Sequence, residues 1–83
     1  MKVENFNGVP NQFIITGDDG SLTFQSYDTV IAVKKAGKVT LDEEKWDFST
    51  TTGKYRNMFL GEKRSETFKK IKSGEYTLSN LNP

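Results

Sequence analysis

The sequence predicts an α+β fold: a four-stranded antiparallel β-meander followed by two short helices, with a fifth, C-terminal strand as an option. Three observations carry this. Residues 11–42 form short β-branched or alternating runs separated by brief turns. After Trp46 the period changes, and the hydroxyl run Ser49-Thr50-Thr51-Thr52 opens a segment that Gly61 closes. A second such segment begins at Ser65 and stops at Gly74. At 83 residues the chain reads as one small domain. It divides into an arm (1–10), a meander (11–42), a helical part (48–74) and a strand with a tail (75–83).

Taken in order, Asn7-Gly8 is a turn signal, and Pro10 sets an extended lead into the first strand. Phe6 and Val9 either tuck against the core or belong to a partly ordered arm. Gln12-Phe13-Ile14-Ile15-Thr16 reads as a strand, and Gly17-Asp18-Asp19-Gly20 as a hairpin turn. Leu22, Phe24 and Ser26 fall on one face of the next strand. Thr29–Lys34 is rich in β-branched residues, Lys35-Ala36-Gly37 turns the chain, and Val39 and Leu41 face inward on a fourth strand. Connections this short favour neighbouring antiparallel strands.

In the first helix Thr52, Tyr55 and Phe59 share a face, widened by Met58 and Leu60, while Thr51, Lys54 and Arg56 point outward. Gly53 in its first turn costs about 1 kcal/mol relative to alanine. In the second, Ser65 is the cap, Glu66 suits the positive end of the dipole, and Phe68 and Ile71 are the buried pair. Tyr76 and Leu78 lie on one face of the optional last strand, which can rejoin the sheet edge.

Composition excludes several function classes. The chain has no cysteine and no histidine, so it holds no disulfide, thiolate metal site or Ser-His-Asp triad. No apolar run approaches the roughly 20 residues of a membrane span, and no signal-like leader is visible, so a soluble cytoplasmic protein is expected. Asp18, Asp19 and Asp28 lack the spacing of a calcium loop and read as a solvated hairpin tip. Asp42, Glu43, Glu44 and Asp47 read as a solvated corner, with Asp47 helping to cap the helix. No phosphate-loop or dinucleotide glycine pattern is present. No cofactor is expected, and no enzymatic activity.

Charge offers more. Residues 1–47 carry five basic and eight acidic side chains, whereas residues 48–83 carry seven basic and three acidic. The basic half makes Thr51, Lys54, Arg56, Lys63, Arg64, Lys69 and Lys70 candidates for contact with a nucleic acid or another partner. Lys72 adds to the charge, but Lys69, Lys70 and Lys72 cannot share one helix stripe, so part of it serves solubility. The hydroxyl-rich helix start can hold a phosphate through its free amides, or can simply cap the helix. Tyr27, Trp46, Tyr55 and Tyr76 are either stacking platforms for bases or core residues, with Trp46 an anchor at the strand-to-helix junction.

Ser26-Tyr27-Asp28-Thr29-Val30-Ile31-Ala32, the stretch from Trp46 to Tyr55, and Phe59-Leu60 together resemble a family of small uncharacterised proteins. That family is encoded by phages, prophages and mobile elements of Gram-positive bacteria. A Ser-Tyr-x-Thr strand there precedes a tryptophan, an x-Ser-x-Thr-Thr run and a Phe-Leu helix end. The resemblance covers about residues 11–61 and implies no catalytic residue. It implies a small accessory protein acting in the host cytoplasm. Three functions are expected in turn: a binding module on a host protein or nucleic acid, a nucleic-acid-binding accessory protein using the basic half, or a homo-oligomer exposing a sheet face or edge.

Overall fold

The computed structural model describes residues 1–83. Its sheet has six strands in chain order: β1 (Lys2–Asn5), β2 (Gln12–Thr16), β3 (Leu22–Ser26), β4 (Thr29–Lys35), β5 (Lys38–Asp42) and β6 (Tyr76–Ser79). Strands β1 to β5 are antiparallel neighbours, and β6 lies parallel to β5. Two helices, α1 (Thr50–Leu60) and α2 (Arg64–Ser73), fill the connection between β5 and β6. They return the chain to the end of the sheet where β5 began, which makes the last pairing parallel.

The expected four-stranded meander is therefore corrected to five strands, and the optional last strand forms. Lys2–Asn5, expected within an arm, pairs with β2 from Lys2↔Thr16 to Asn5↔Phe13. All four of its residues are exposed, so burial left no period for the sequence to display. Its charged side chains suit an edge strand, where unpaired backbone otherwise invites other chains. Asn7 and Gly8, both at positive φ, let the chain reverse into β2. Phe6 does reach the core, packing edge-on to Phe24 at 5.8 Å.

The core lies between the helices and one face of the sheet. Phe24 is paired with Ala32 and Ala32 with Leu41, and all three are fully buried. A β-bulge between Phe24 and Gln25 makes Ile31 an extra residue, so Ile31 and Ala32 are both buried. Phe59 of α1 packs 5.8 Å from Phe24, and Tyr76 closes the cluster from β6. Burying each such side chain contributes about 1.5–3 kcal/mol.

The opposite face carries no helix. Register places Val3, Ile15, Thr23, Val33, Thr40 and Thr77 in one row across all six strands. Only the C-terminal tail crosses here, and Leu81 lines a shallow groove of about 410 Å³ with Val33, Lys35, Ala36, Lys38 and Thr40.

The tail also corrects the reading of the acidic corner. Asp42, expected to be solvated, is 2% exposed. It accepts backbone N–H bonds from Glu44, Lys45 and Leu81 at 3.2, 2.8 and 2.8 Å. Burial alone would raise its pKa, but these amides and Asn82 outweigh burial and hold it below the usual carboxylate range. Asn82 then both donates to and accepts from the Val30 backbone, tying the tail to β4.

Helix α2 differs from expectation at its start. It begins at Arg64, with Lys63 rather than Ser65 in the cap position. Glu66 accepts from the Lys63 amide at 3.2 Å, so the acidic residue ties off the helix start. Phe68, expected to be buried, is 43% exposed, and Thr67 is buried in its place. Ile71 still packs against the core, so the inward stripe pairs it with Thr67 at i−4 rather than with Phe68 at i−3. A hydrogen bond from the Thr67 hydroxyl to Glu62 at 2.6 Å holds that phase.

Candidate anion-binding site

Helix α1 starts within the hydroxyl run, and of the two residues able to cap it, Ser49 and Thr50, Ser49 does so. Ser49 accepts the Thr52 amide through its hydroxyl at 3.1 Å, and the Ser49 carbonyl accepts the Gly53 amide at 2.9 Å. The amides of Thr50 and Thr51 find no acceptor within the protein. Thr52 faces the sheet, where its hydroxyl lies 3.2 Å from that of buried Ser26. The stretches that carry the sequence resemblance therefore meet through this hydroxyl pair as well as through the core, which holds Ile31, Ala32 and Phe59. That pair fixes the helix start on the sheet.

Arg56, expected to point outward, is 1% exposed. The inward stripe of α1 is Thr52, Gly53, Arg56 and Phe59. Reading the phase as i, i+4, i+7 from Thr52 finds Arg56, but its charge argued against burial. The partners that make burial tolerable come mainly from the β5–α1 loop. Arg56 Nη1 donates to the Trp46 carbonyl at 2.9 Å and to Asp47 Oδ1 at 2.8 Å, and Nη2 donates to Asn57 Oδ1 at 2.8 Å. Its Nε is buried with no partner, an arrangement that costs about 1–3 kcal/mol. The guanidinium also lies over the Trp46 ring at 5.2 Å.

Asp47, expected to help cap the helix, instead bridges two arginines. Its second oxygen accepts from Arg64 Nε at 2.6 Å. Burial alone would raise the Asp47 pKa; Arg64 and then Arg56 override it and keep the carboxyl below its ordinary value. Arg64 lies 5.7 Å from the Trp46 ring and 5.8 Å from that of Phe68. Trp46 packs against the core, as an anchor should, but its exposed part belongs to this cluster.

These groups surround a cleft of about 800 Å³ lined by Asp47, Phe48, Ser49, Thr50, Gly53, Lys54, Arg56, Asn57 and Arg64. Three cations against one carboxylate leave a net charge of +2, to which the helix start adds its dipole. Phe48, 48% exposed, is the one apolar side chain at the rim.

Of the seven candidate residues, the structure brings Lys54, Arg56 and Arg64 to this cleft. Thr51 stands exposed beside it in the first turn of α1. Lys63 and Lys69 are exposed outside the cleft, at the start and on the surface of α2. Lys70 is committed elsewhere: it donates to Glu62 at 2.7 Å, and Thr67 and Tyr76 donate to the same carboxylate at 2.6 and 2.8 Å. Sequence reasoning found Ser49 and Thr50 through the hydroxyl run and missed Phe48 and Asn57. Both are uncharged, so the search for basic residues passed over them; their places beside the helix cap and within α1 were the only sequence signal.

No helix is long and apolar enough to cross a membrane. A model of a family of unknown function, DUF8033, matches residues 1–76. Searches of curated proteins and of solved structures found no match. The chain belongs to the DUF8033 family.

Proposed function

We propose that this protein is a small non-enzymatic binding module whose helical layer engages a nucleic acid. Its setting in this reading is the host cytoplasm, as an accessory of a phage or mobile element of Gram-positive bacteria. The resemblance carried by Ser26–Ala32 and Trp46–Tyr55 supports that setting.

The observation that carries the nucleic-acid reading is the +2 cleft at the start of α1, beside aromatic rings that alternate with cations. Arg64 lies against Trp46 and Phe68, Lys72 over Phe68, and Lys45 over Phe48. Cations meet phosphates, and exposed rings stack on unpaired bases, so single strands fit better than duplexes. Titration supports a binding role over a catalytic one. Asp19, Asp42, Asp47 and Glu62 are shifted down, and Lys70 and Tyr76 up. Each of these groups moves away from neutral pH, the reverse of what general acid–base work needs.

Fluorescence anisotropy with labelled single-stranded DNA and RNA tests the reading. About three neutralised phosphates give a slope of roughly −2 in log K against log salt for a single strand. Absence of binding at low salt, or binding indifferent to salt, would end the proposal.

A second reading rests on the helix-free face of the sheet. Its row from Val3 to Thr77 is uncharged and mostly β-branched, which suits packing against a second copy. Sedimentation at high protein concentration decides it, and a clean monomer removes it.

A further inference from the structure

We infer that the cleft at the start of α1 is a seat for a single tetrahedral phosphate group. The inference rests on the polyanion reading and narrows it from a charged surface to one position. The Thr50 and Thr51 amides have no acceptor and lie at the positive end of an 11-residue helix. Lys54 and Arg64 line the same cleft with exposed charges.

Arg56 supplies an independent indication. A guanidinium has five N–H donors, and here only three are used. The Nε donor and one Nη2 donor remain, on a side chain that is 1% exposed and forms part of the cleft wall. A buried cation with spare donors, on the helix whose first turn has two spare amides, is a set of donors short of acceptors. One phosphate supplies several acceptor oxygens and the negative charge that Asp47, shared between Arg56 and Arg64, leaves unmatched. Gly53 puts no side chain over the guanidinium: a Cβ there would sit against the Arg56 terminal nitrogens at 3.5–3.6 Å.

Two sources of phosphate share this chemistry: the free ion and a nucleic-acid backbone. The test titrates the 15N-labelled protein with inorganic phosphate at constant ionic strength, using chloride as the control. A parallel arm uses a short oligothymidylate. The expected result is saturable movement of the Thr50, Thr51 and Gly53 amide resonances with phosphate and not with chloride. Lys54→Gln should weaken that binding at least 3-fold, and Lys69→Gln, outside the cleft, should leave it unchanged. Both lysines are exposed, so neither change threatens folding. Movement equal in chloride, or equal loss in both variants, would overturn the seat. If oligothymidylate binds while the Thr50 and Thr51 resonances stay still, the seat falls and the nucleic-acid reading survives. If phosphate binds and oligothymidylate does not, the seat stands and the nucleic-acid reading falls.

Discussion

Two ionic clusters sit in the helical layer, and they are built alike but end differently. Around Glu62, one carboxylate that is 5% exposed collects a lysine, a tyrosine hydroxyl and a threonine hydroxyl. Its one nearby cation is matched, and the cluster closes α2 and β6 against the end of α1. Around Asp47, one carboxylate collects two arginines, and a third cation stands nearby on Lys54. The same ingredients cancel in the first case and leave a surplus in the second. The two clusters thus differ by charge count and by unfilled donors, not by residue type.

The contrast between the two is most exposed to failure at Arg56. Arg56→Ala removes a buried guanidinium and its three hydrogen bonds, leaving Asp47 with Arg64 alone, at a cost of roughly 3 kcal/mol measured by urea unfolding. A loss under about 1 kcal/mol would mean that Arg56 is not a structural member of its cluster. Glu62→Gln comes next. It leaves Tyr76 without a charged acceptor and Lys70 with only the more distant Glu75, 3.9 Å away, and should cost about 2 kcal/mol. Phosphate binding at the cleft should stay unchanged in that variant. If it weakens as much as in Lys54→Gln, the two clusters are one network.

Acid acts on both clusters at once. Asp42, Asp47 and Glu62 all titrate below their ordinary values in the folded state. Depressed carboxylates stabilise the fold above the unfolded pKa near 4 and lose that contribution as pH falls through the folded values. The urea midpoint should therefore hold from pH 7 to about 5 and drop steadily below about 4. A midpoint flat down to pH 3 would contradict these assignments. The smallest expected effect is at Gly53. Gly53→Ala should stabilise α1 by about 0.5–1 kcal/mol, because the added methyl meets only ordinary contacts. Destabilisation would show that the cleft floor is tighter than its geometry.

Legibility in the sequence follows burial. β2 to β5 alternate or carry β-branched runs because one face meets the helices, and that pattern can be read directly. β1 buries nothing and leaves no such pattern. Ser49 and Gly61 act through local backbone geometry, so the C-terminal end of α1 is readable to the residue and its start to Ser49 or Thr50, of which Ser49 is the cap. Ser65 has the chemistry of a cap and draws the α2 start to itself, while Glu66 ties the helix off at Lys63. At the site, charge alone finds Lys54 and Arg64. It also finds Arg56 but turns it the wrong way, since its burial depends on Asp47, nine positions away. The spare donors cannot be read at all, because they are defined by what fails to bond.

The parallel pairing of β5 with β6 has a consequence for how the molecule assembles. Each of the first five strands pairs with its immediate neighbour, so short loops close early. β6 must wait for residues 43–75 to emerge and fold. The cleft waits as well, since Thr52 needs Ser26 already in place. During synthesis the meander is expected to form first, with both of its faces bare and β5 as an open border. Amide exchange should accordingly be slowest in β3 and β4 and faster in β6, and a slower β6 would reverse that order. The cleft is therefore complete only after most of the chain has emerged.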